Sequence, residues 1–186
     1  MSAFIVLIVA ALSRLVPVVS HPHGWNFTAL GGGLLFFGSR MKGTRWQIAA
    51  KLGAGLALLA AMDFYLTVYA YGYAWHTSEY LVTWLWYVAA CLLGMGLLEK
   101  AGVLRCAAAT LASATSFFLL SNLAVWMGGM YPHTLSGLGT ALAMGLPFYR
   151  NDLASTALTV GVLFGVPVLA ARIEQAMQAS HGNRIA

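Results

Sequence analysis

The chain has 186 residues, of which 60% are hydrophobic and only 8% are charged, and its formal net charge is +5. Several apolar stretches approach the roughly 20 residues that a helix needs to cross a bilayer core, so we predict an all-α integral membrane protein with one transmembrane domain over residues 1–186. The nucleotide-binding pattern G-x-x-x-x-G-K-[ST] does not occur, which argues against a built-in ATPase. The basic residues form no stripe that could follow phosphates, which argues against nucleic acid as a partner.

Two apolar segments open the chain. Ala3–Ser20 is the first predicted span, and we expect it to be retained and not removed as a signal peptide. Pro17 favours a kink or an end in it. Ala29–Ser39 is shorter and contains three consecutive glycines, so it can cross only if neighbouring helices pack closely against it. The connection between them carries His21, His23 and Asn26.

Two further spans and two basic connections follow. The first connection holds Arg40, Lys42, Arg45 and Lys51, and the positive-inside rule places it in the cytoplasm. Gly53–Met62 then continues the third predicted span, which ends at Asp63. Leu81–Leu98 is the fourth, and a second basic connection leads to the fifth span, Val103–Met127. Between the third and fourth spans lies a connection rich in aromatic residues, which include Tyr73, His76 and Tyr80.

Residues 121–152 combine polar and aromatic side chains between two apolar runs. Trp126, Tyr131, His133 and Arg150 lie in this stretch. The apolar piece 135–148 is about 14 residues long, which is short for a crossing, so we predict a re-entrant or interfacial helix there. The last span is predicted to begin near Asp152 and to reach Ala171. A polar cytoplasmic tail over 175–186 completes the chain.

Six spans with both termini in the cytoplasm put most of the basic residues on the cytoplasmic side. Arg14 and Arg150 are the exceptions, and a cation held against the topology rule is usually paired or bound to a ligand. We therefore predict structural ion pairs, either Arg14 with Asp63 or Arg150 with Asp152, and direct ligand contact is the alternative for each cation.

Motifs for catalysis or metal binding are weak. His21 and His23 are two residues apart, and no cysteine or carboxylate joins them at a recognised spacing, so we expect no metal site. Ser121, Ser136 and His133 lack a G-x-S-x-G elbow, so we expect no enzyme. What remains is an aromatic-lined outer face with a few polar groups, which is typical of a small-molecule pocket.

Four runs, SRLVPVVSHPHGWNFT, SNLAVW, YPHTLSGL and LPFYRND, resemble a family of small bacterial membrane proteins of uncharacterised function. That family is similar in turn to the substrate-binding S-components of energy-coupling-factor vitamin transporters and to the BtuM-type cobalamin transporter. The resemblance implies a six-helix, S-component-like bundle in the bacterial inner membrane, with the ligand under the outer loops and an energising ATPase and transmembrane module as a partner. It implies no resident cofactor but suggests cobalamin as a transported ligand. BtuM-type proteins use an outer-loop cysteine as the axial cobalt ligand; this sequence has none there, which leaves His76 as the available donor.

We therefore expect a protein that binds a vitamin-like small molecule at its outer face and mediates its uptake through the bilayer. The predicted contacts come from the outer connections and are His21, His23, Asn26, Tyr73, His76, Tyr80, Trp126, Tyr131, His133 and Arg150. The alternative is a non-transporting subunit or assembly factor that docks a partner protein through the same connections.

Overall fold

The computed structural model describes residues 2–20 and 27–185, with side-chain surroundings for residues 2–19 and 27–178. Only helices and their connections occur in these ranges. The helices in chain order are α1 (Ala3–Leu12), α2 (Val16–Ser20), α3 (Leu30–Ser39), α4 (Arg45–Tyr65), α5 (Leu81–Leu97), α6 (Val103–Met127), α7 (Leu135–Val160) and α8 (Val166–Ile185). Short 3-10 turns at Ser13–Leu15 and Thr77–Tyr80 and π turns at Leu66–Ala70 and Gly161–Gly165 continue or join them.

Four helical stretches among the described residues are long and apolar enough to cross a membrane. They are Arg45–Ala70, Thr77–Leu97, Val103–Met127 and Leu135–Gln178. Ala3–Val19 and Leu30–Ser39 are apolar but shorter. These lengths and compositions indicate an all-helical membrane protein. The predicted count of six full spans is not confirmed.

Helix α3 is the central element of the bundle. All ten of its residues are buried, although a helix of that length is only about 15 Å long. Glycines allow its backbone to touch that of α5: a Cβ placed on Gly38 would lie 1.9 Å from the carbonyl oxygen of Cys91, and one on Gly94 would lie 2.1 Å from that of Leu35. The close packing that the sequence requires of this short segment is therefore present.

Helix α4 begins earlier than the predicted third span. The Thr44 side chain accepts a hydrogen bond from the backbone N–H of Gln47 at 3.3 Å, and the Gln47 side chain accepts one from the N–H of Thr44 at 2.9 Å. This capping box starts the helix at Arg45, so the second half of the predicted basic turn is helical. Lys42 lies 4.0 Å from Glu99, so both basic connections lie at one end of the bundle.

Residues 135–148 do not form a separate re-entrant or interfacial helix, and no span begins at Asp152, because α7 runs unbroken through both. The polar residues that suggested a boundary are accommodated against α6. The Tyr149 hydroxyl is hydrogen-bonded to that of Thr115 at 2.9 Å. Gly145 lets Asn122 approach so closely that a Cβ there would lie 2.5 Å from the side-chain amide. Helices α6 and α7 therefore form an antiparallel pair.

Candidate functional site

A cavity of about 300 Å³ lies at the end of the bundle opposite the basic connections, where α4 ends and α5 begins. Its polar lining comes from Arg14, Thr28, Asp63, Thr67, Thr83 and Asp152. Its aromatic lining comes from Tyr71, Tyr73, Tyr80, Trp86, Tyr87 and Phe117. Tyr71 and Tyr73 are 52% and 70% exposed, so they lie at the mouth, whereas Trp86 is buried in the wall. We call this the first cavity.

A buried ion pair forms one wall of the first cavity. Arg14 lies in the turn between α1 and α2, and its Nη1 is 2.6 Å from Oδ1 of Asp63, whose side chain is fully buried. Asp63 also accepts hydrogen bonds from Trp84 Nε1 at 2.9 Å and from the Tyr87 hydroxyl at 3.1 Å. A buried ion pair is tolerated when further hydrogen bonds satisfy the carboxylate, as they do here. The pair predicted from the sequence is therefore formed, and it leaves this wall without net charge.

Two hydroxyl groups link the backbone of Asp63 to the ring of Tyr80, which also lines the first cavity. The Thr67 hydroxyl donates to the backbone carbonyl of Asp63 at 2.7 Å, so the Tyr80 hydroxyl, which contacts it, is the donor to Thr67. The ring of Tyr80 stacks on that of Trp75 with centroids 4.4 Å apart. Thr67 lies in the π turn Leu66–Ala70, and such irregular turns are frequent at functional sites.

A second cavity of about 380 Å³ adjoins the first between α6 and α7. Phe117 and Asp152 line both, so they stand at the boundary between the two. Asp152 Oδ2 is buried and has no hydrogen-bond partner among the described residues. The predicted Arg150–Asp152 pair is wrong: no such ion pair forms within the described ranges, and Arg150 is exposed. Both residues lie inside helix α7, where side chains two positions apart do not face each other.

A family model described as a family of unknown function (DUF6580) matches residues 1–179. The chain belongs to this DUF6580 family. No curated protein and no solved structure matches it. The predicted membership of a family of uncharacterised function is thus confirmed, and the further similarity to S-components stays a prediction.

The structure brings together some of the residues that the sequence nominated in this DUF6580 protein. Tyr73 and Tyr80 line the first cavity, and Tyr131 lines the second. The nominated residues outside both linings are His76, Trp126, His133 and Arg150. His21, His23 and Asn26 lie outside the described residues.

The four nominated residues outside the linings lie on the surface or at the α6–α7 connection. His76 precedes the turn Thr77–Tyr80 and is exposed. Trp126 donates to the carbonyl of Pro132 at 2.9 Å and packs its ring edge-on against His133, with centroids 5.6 Å apart. These contacts are those of a structured helical connection. A role of these residues in ligand binding stays a prediction.

Several lining residues were missed because they lie within apolar helices. Trp86 and Phe117 are the clearest cases, since their side chains look like any other apolar surface of a span. Two signals were available: Asp63 and Thr67, and likewise Thr83 and Tyr87, are four residues apart. That spacing puts polar groups on one helix face, where they point into the bundle more often than into lipid.

Proposed function

We propose that this DUF6580 protein binds a small molecule in the first cavity and mediates its uptake across the bacterial inner membrane. The observation that carries the proposal is the Arg14–Asp63 pair in the cavity wall, with Asp63 only 1% exposed. Ionisable residues inside a membrane domain are costly to bury, and they usually mark a substrate or ion path. The first cavity is at the small end of the range of ligand pockets, about 300–1,000 Å³.

The lining favours a small ligand that has both a planar or apolar part and polar groups. Trp86 and Phe117 offer apolar surface, and the hydroxyl groups of Tyr71 and Tyr73 at the mouth offer hydrogen bonds. Among vitamin-like ligands the cavity favours small ones over cobalamin, because His76, the nominated cobalt donor, does not line it.

The direction of uptake in this proposal follows from charge. Arg40, Lys42, Lys100 and Arg105 lie in or beside the two basic connections, which the positive-inside rule assigns to the cytoplasm. The first cavity lies at the other end and would take its ligand from outside. Energy for transport would come from a partner with an ATPase module.

Native mass spectrometry of the gently solubilised protein tests the binding step. Thr83→Phe would place a ring in the first cavity, and Leu85→Phe is the matched control, because Leu85 is on the same helix but 70% exposed and outside the lining. We expect a co-purified small molecule on wild type and on Leu85→Phe, and its loss from Thr83→Phe. The molecule, added back, should raise the unfolding temperature of the first two proteins only.

Two results would reject the proposal. One is equal occupancy of Thr83→Phe and wild type. The other is an empty wild-type protein that co-purifies with another membrane protein, which would favour the docking alternative. That alternative has support in the α6–α7 connection, where Met130 and Leu135 are 74% and 87% exposed.

A further inference from the structure

Asp152 is the one acidic residue lining the two cavities that has a buried oxygen without a hydrogen-bond partner among the described residues. Asp63, the other carboxylate, is neutralised by Arg14 and accepts two more hydrogen bonds. The backbone carbonyl of Asp152 accepts from the Ser155 hydroxyl at 3.0 Å, while its buried Oδ2 has no hydrogen-bond partner among the described residues. A buried carboxylate oxygen without a donor is strongly disfavoured.

Several donors that line the cavities are committed elsewhere. Trp86 Nε1 donates to the Ser113 carbonyl and the Ser116 hydroxyl, at 3.3 and 3.1 Å. Asn122 Nδ2 donates to the carbonyl of Phe118 at 2.7 Å. The hydroxyl of Tyr87 is on Asp63, and that of Tyr149 is paired with Thr115. The Thr156 hydroxyl is also buried without a partner, and no described donor is hydrogen-bonded to Asp152 Oδ2, which leaves this oxygen open to a donor on a ligand.

We propose that Asp152 makes the two cavities cation-selective, so that their ligand carries a positively charged, hydrogen-bond-donating group such as a protonated amine. This inference rests on the proposed function, since it names the class of molecule that the site takes. The amine would donate to Asp152 Oδ2 at the boundary between the cavities. The apolar part of the ligand would lie against Phe117, which lines both of them.

Charge-selective cysteine labelling tests this without knowledge of the ligand. Cys91 and Cys106 are replaced by alanine, and a single reporter, Thr83→Cys, is introduced in the first cavity. Its labelling rate is measured with cationic trimethylammonioethyl methanethiosulfonate and with anionic sulfonatoethyl methanethiosulfonate. The ratio of the two rates is normalised to that of a free thiol. His76→Cys, exposed and outside both linings, is the matched control reporter.

The cation-to-anion ratio at Thr83→Cys should fall about five- to tenfold when Asp152→Asn is added, because a nearby unpaired charge attracts one reagent and repels the other. The ratio at His76→Cys should change less than about twofold, since screening weakens the interaction there. An unchanged ratio at Thr83→Cys would overturn the inference, because the carboxyl would then be neutral or remote. If Asp152→Asn does not fold, the two reporters are compared with Asp152 intact. The cation-to-anion labelling ratio at Thr83→Cys must then exceed that at His76→Cys by about fivefold.

The labelling and the native mass spectrometry can reject the two proposals independently of each other. A flat labelling ratio, together with a small molecule that Thr83→Phe releases, would overturn cation selectivity and leave the proposed function standing. An anionic co-purified molecule would have the same effect. An empty wild-type protein that co-purifies with another membrane protein would remove the proposed function and with it the ligand class, whatever the labelling ratio. A co-purified amine whose occupancy falls at least tenfold in Asp152→Asn would support both.

Discussion

Replacing Arg14 by glutamine would leave the Asp63 carboxylate buried with only two neutral donors, Trp84 and Tyr87. Because the Asp63 side chain is 0% exposed, the carboxylate cannot recover hydration, and the free energy of unfolding should fall by about 3–5 kcal/mol. Asp63→Asn should cost less, about 1.5–3 kcal/mol, because the Arg14 side chain is 20% exposed and lines a cavity. The double variant should lose less stability than the sum of the two single losses, by a coupling energy of about 2 kcal/mol.

The assay is a double-mutant cycle on unfolding by sodium dodecyl sulfate in mixed micelles, followed by tryptophan fluorescence. Lys42→Gln and Glu99→Gln form the control cycle, because those side chains are 75% and 62% exposed and 4.0 Å apart. Their coupling should be close to zero, as it is for most surface pairs. Additive losses for Arg14 and Asp63, or a larger loss for Asp63→Asn than for Arg14→Gln, would refute the electrostatic account of this wall.

Two further predictions use the same titration. Gly38→Ala should destabilise the protein by about 2 kcal/mol or more, because its Cβ would meet the Cys91 carbonyl oxygen at 1.9 Å, whereas Gly96→Ala, with nothing within 4 Å, should cause no loss. Equal effects of the two alanines would contradict the α3–α5 contact. Tyr149→Phe should lower the free energy of unfolding by about 1 kcal/mol, because it removes the hydrogen bond to the Thr115 hydroxyl. Thr115→Val should then add little in the double variant, and a fully additive loss would show that the two hydroxyls do not interact.

Charged flanks made some helices predictable. The α5 and α6 bounds agree with the predicted spans to within one residue, because Glu99 and Lys100 interrupt the apolar pattern between them. The Arg14–Asp63 pair was predictable for a similar reason, since two opposite charges in apolar surroundings seek each other.

Tertiary contacts decided what the sequence could not. Residues 149–152 have the composition of a loop, and α7 continues through them because α6 supplies a partner for the Tyr149 hydroxyl. Arg150 and Asp152 are close in sequence, which suggests a pair, but side chains two positions apart on a helix point in different directions. Phe117 and Trp86 line the first cavity, but an aromatic side chain in a span faces lipid or protein according to a packing that no single sequence displays.

The glycine contact between α3 and α5 has a mechanical consequence. Where carbonyl groups of one helix fill the space of missing side chains on the other, as at Gly38 and Gly94, sliding either helix along its neighbour would drive Cα atoms into oxygens. These two helices should therefore move as one rigid body in any movement of the bundle. Glycines of α3 also bring α7 close, since a Cβ on Gly31 would lie 2.4 Å from Thr156 Oγ1 and one on Gly32 would lie 2.5 Å from Thr159 Cβ. A crosslink between α3 and α5 should therefore leave any ligand-linked movement of the bundle unchanged.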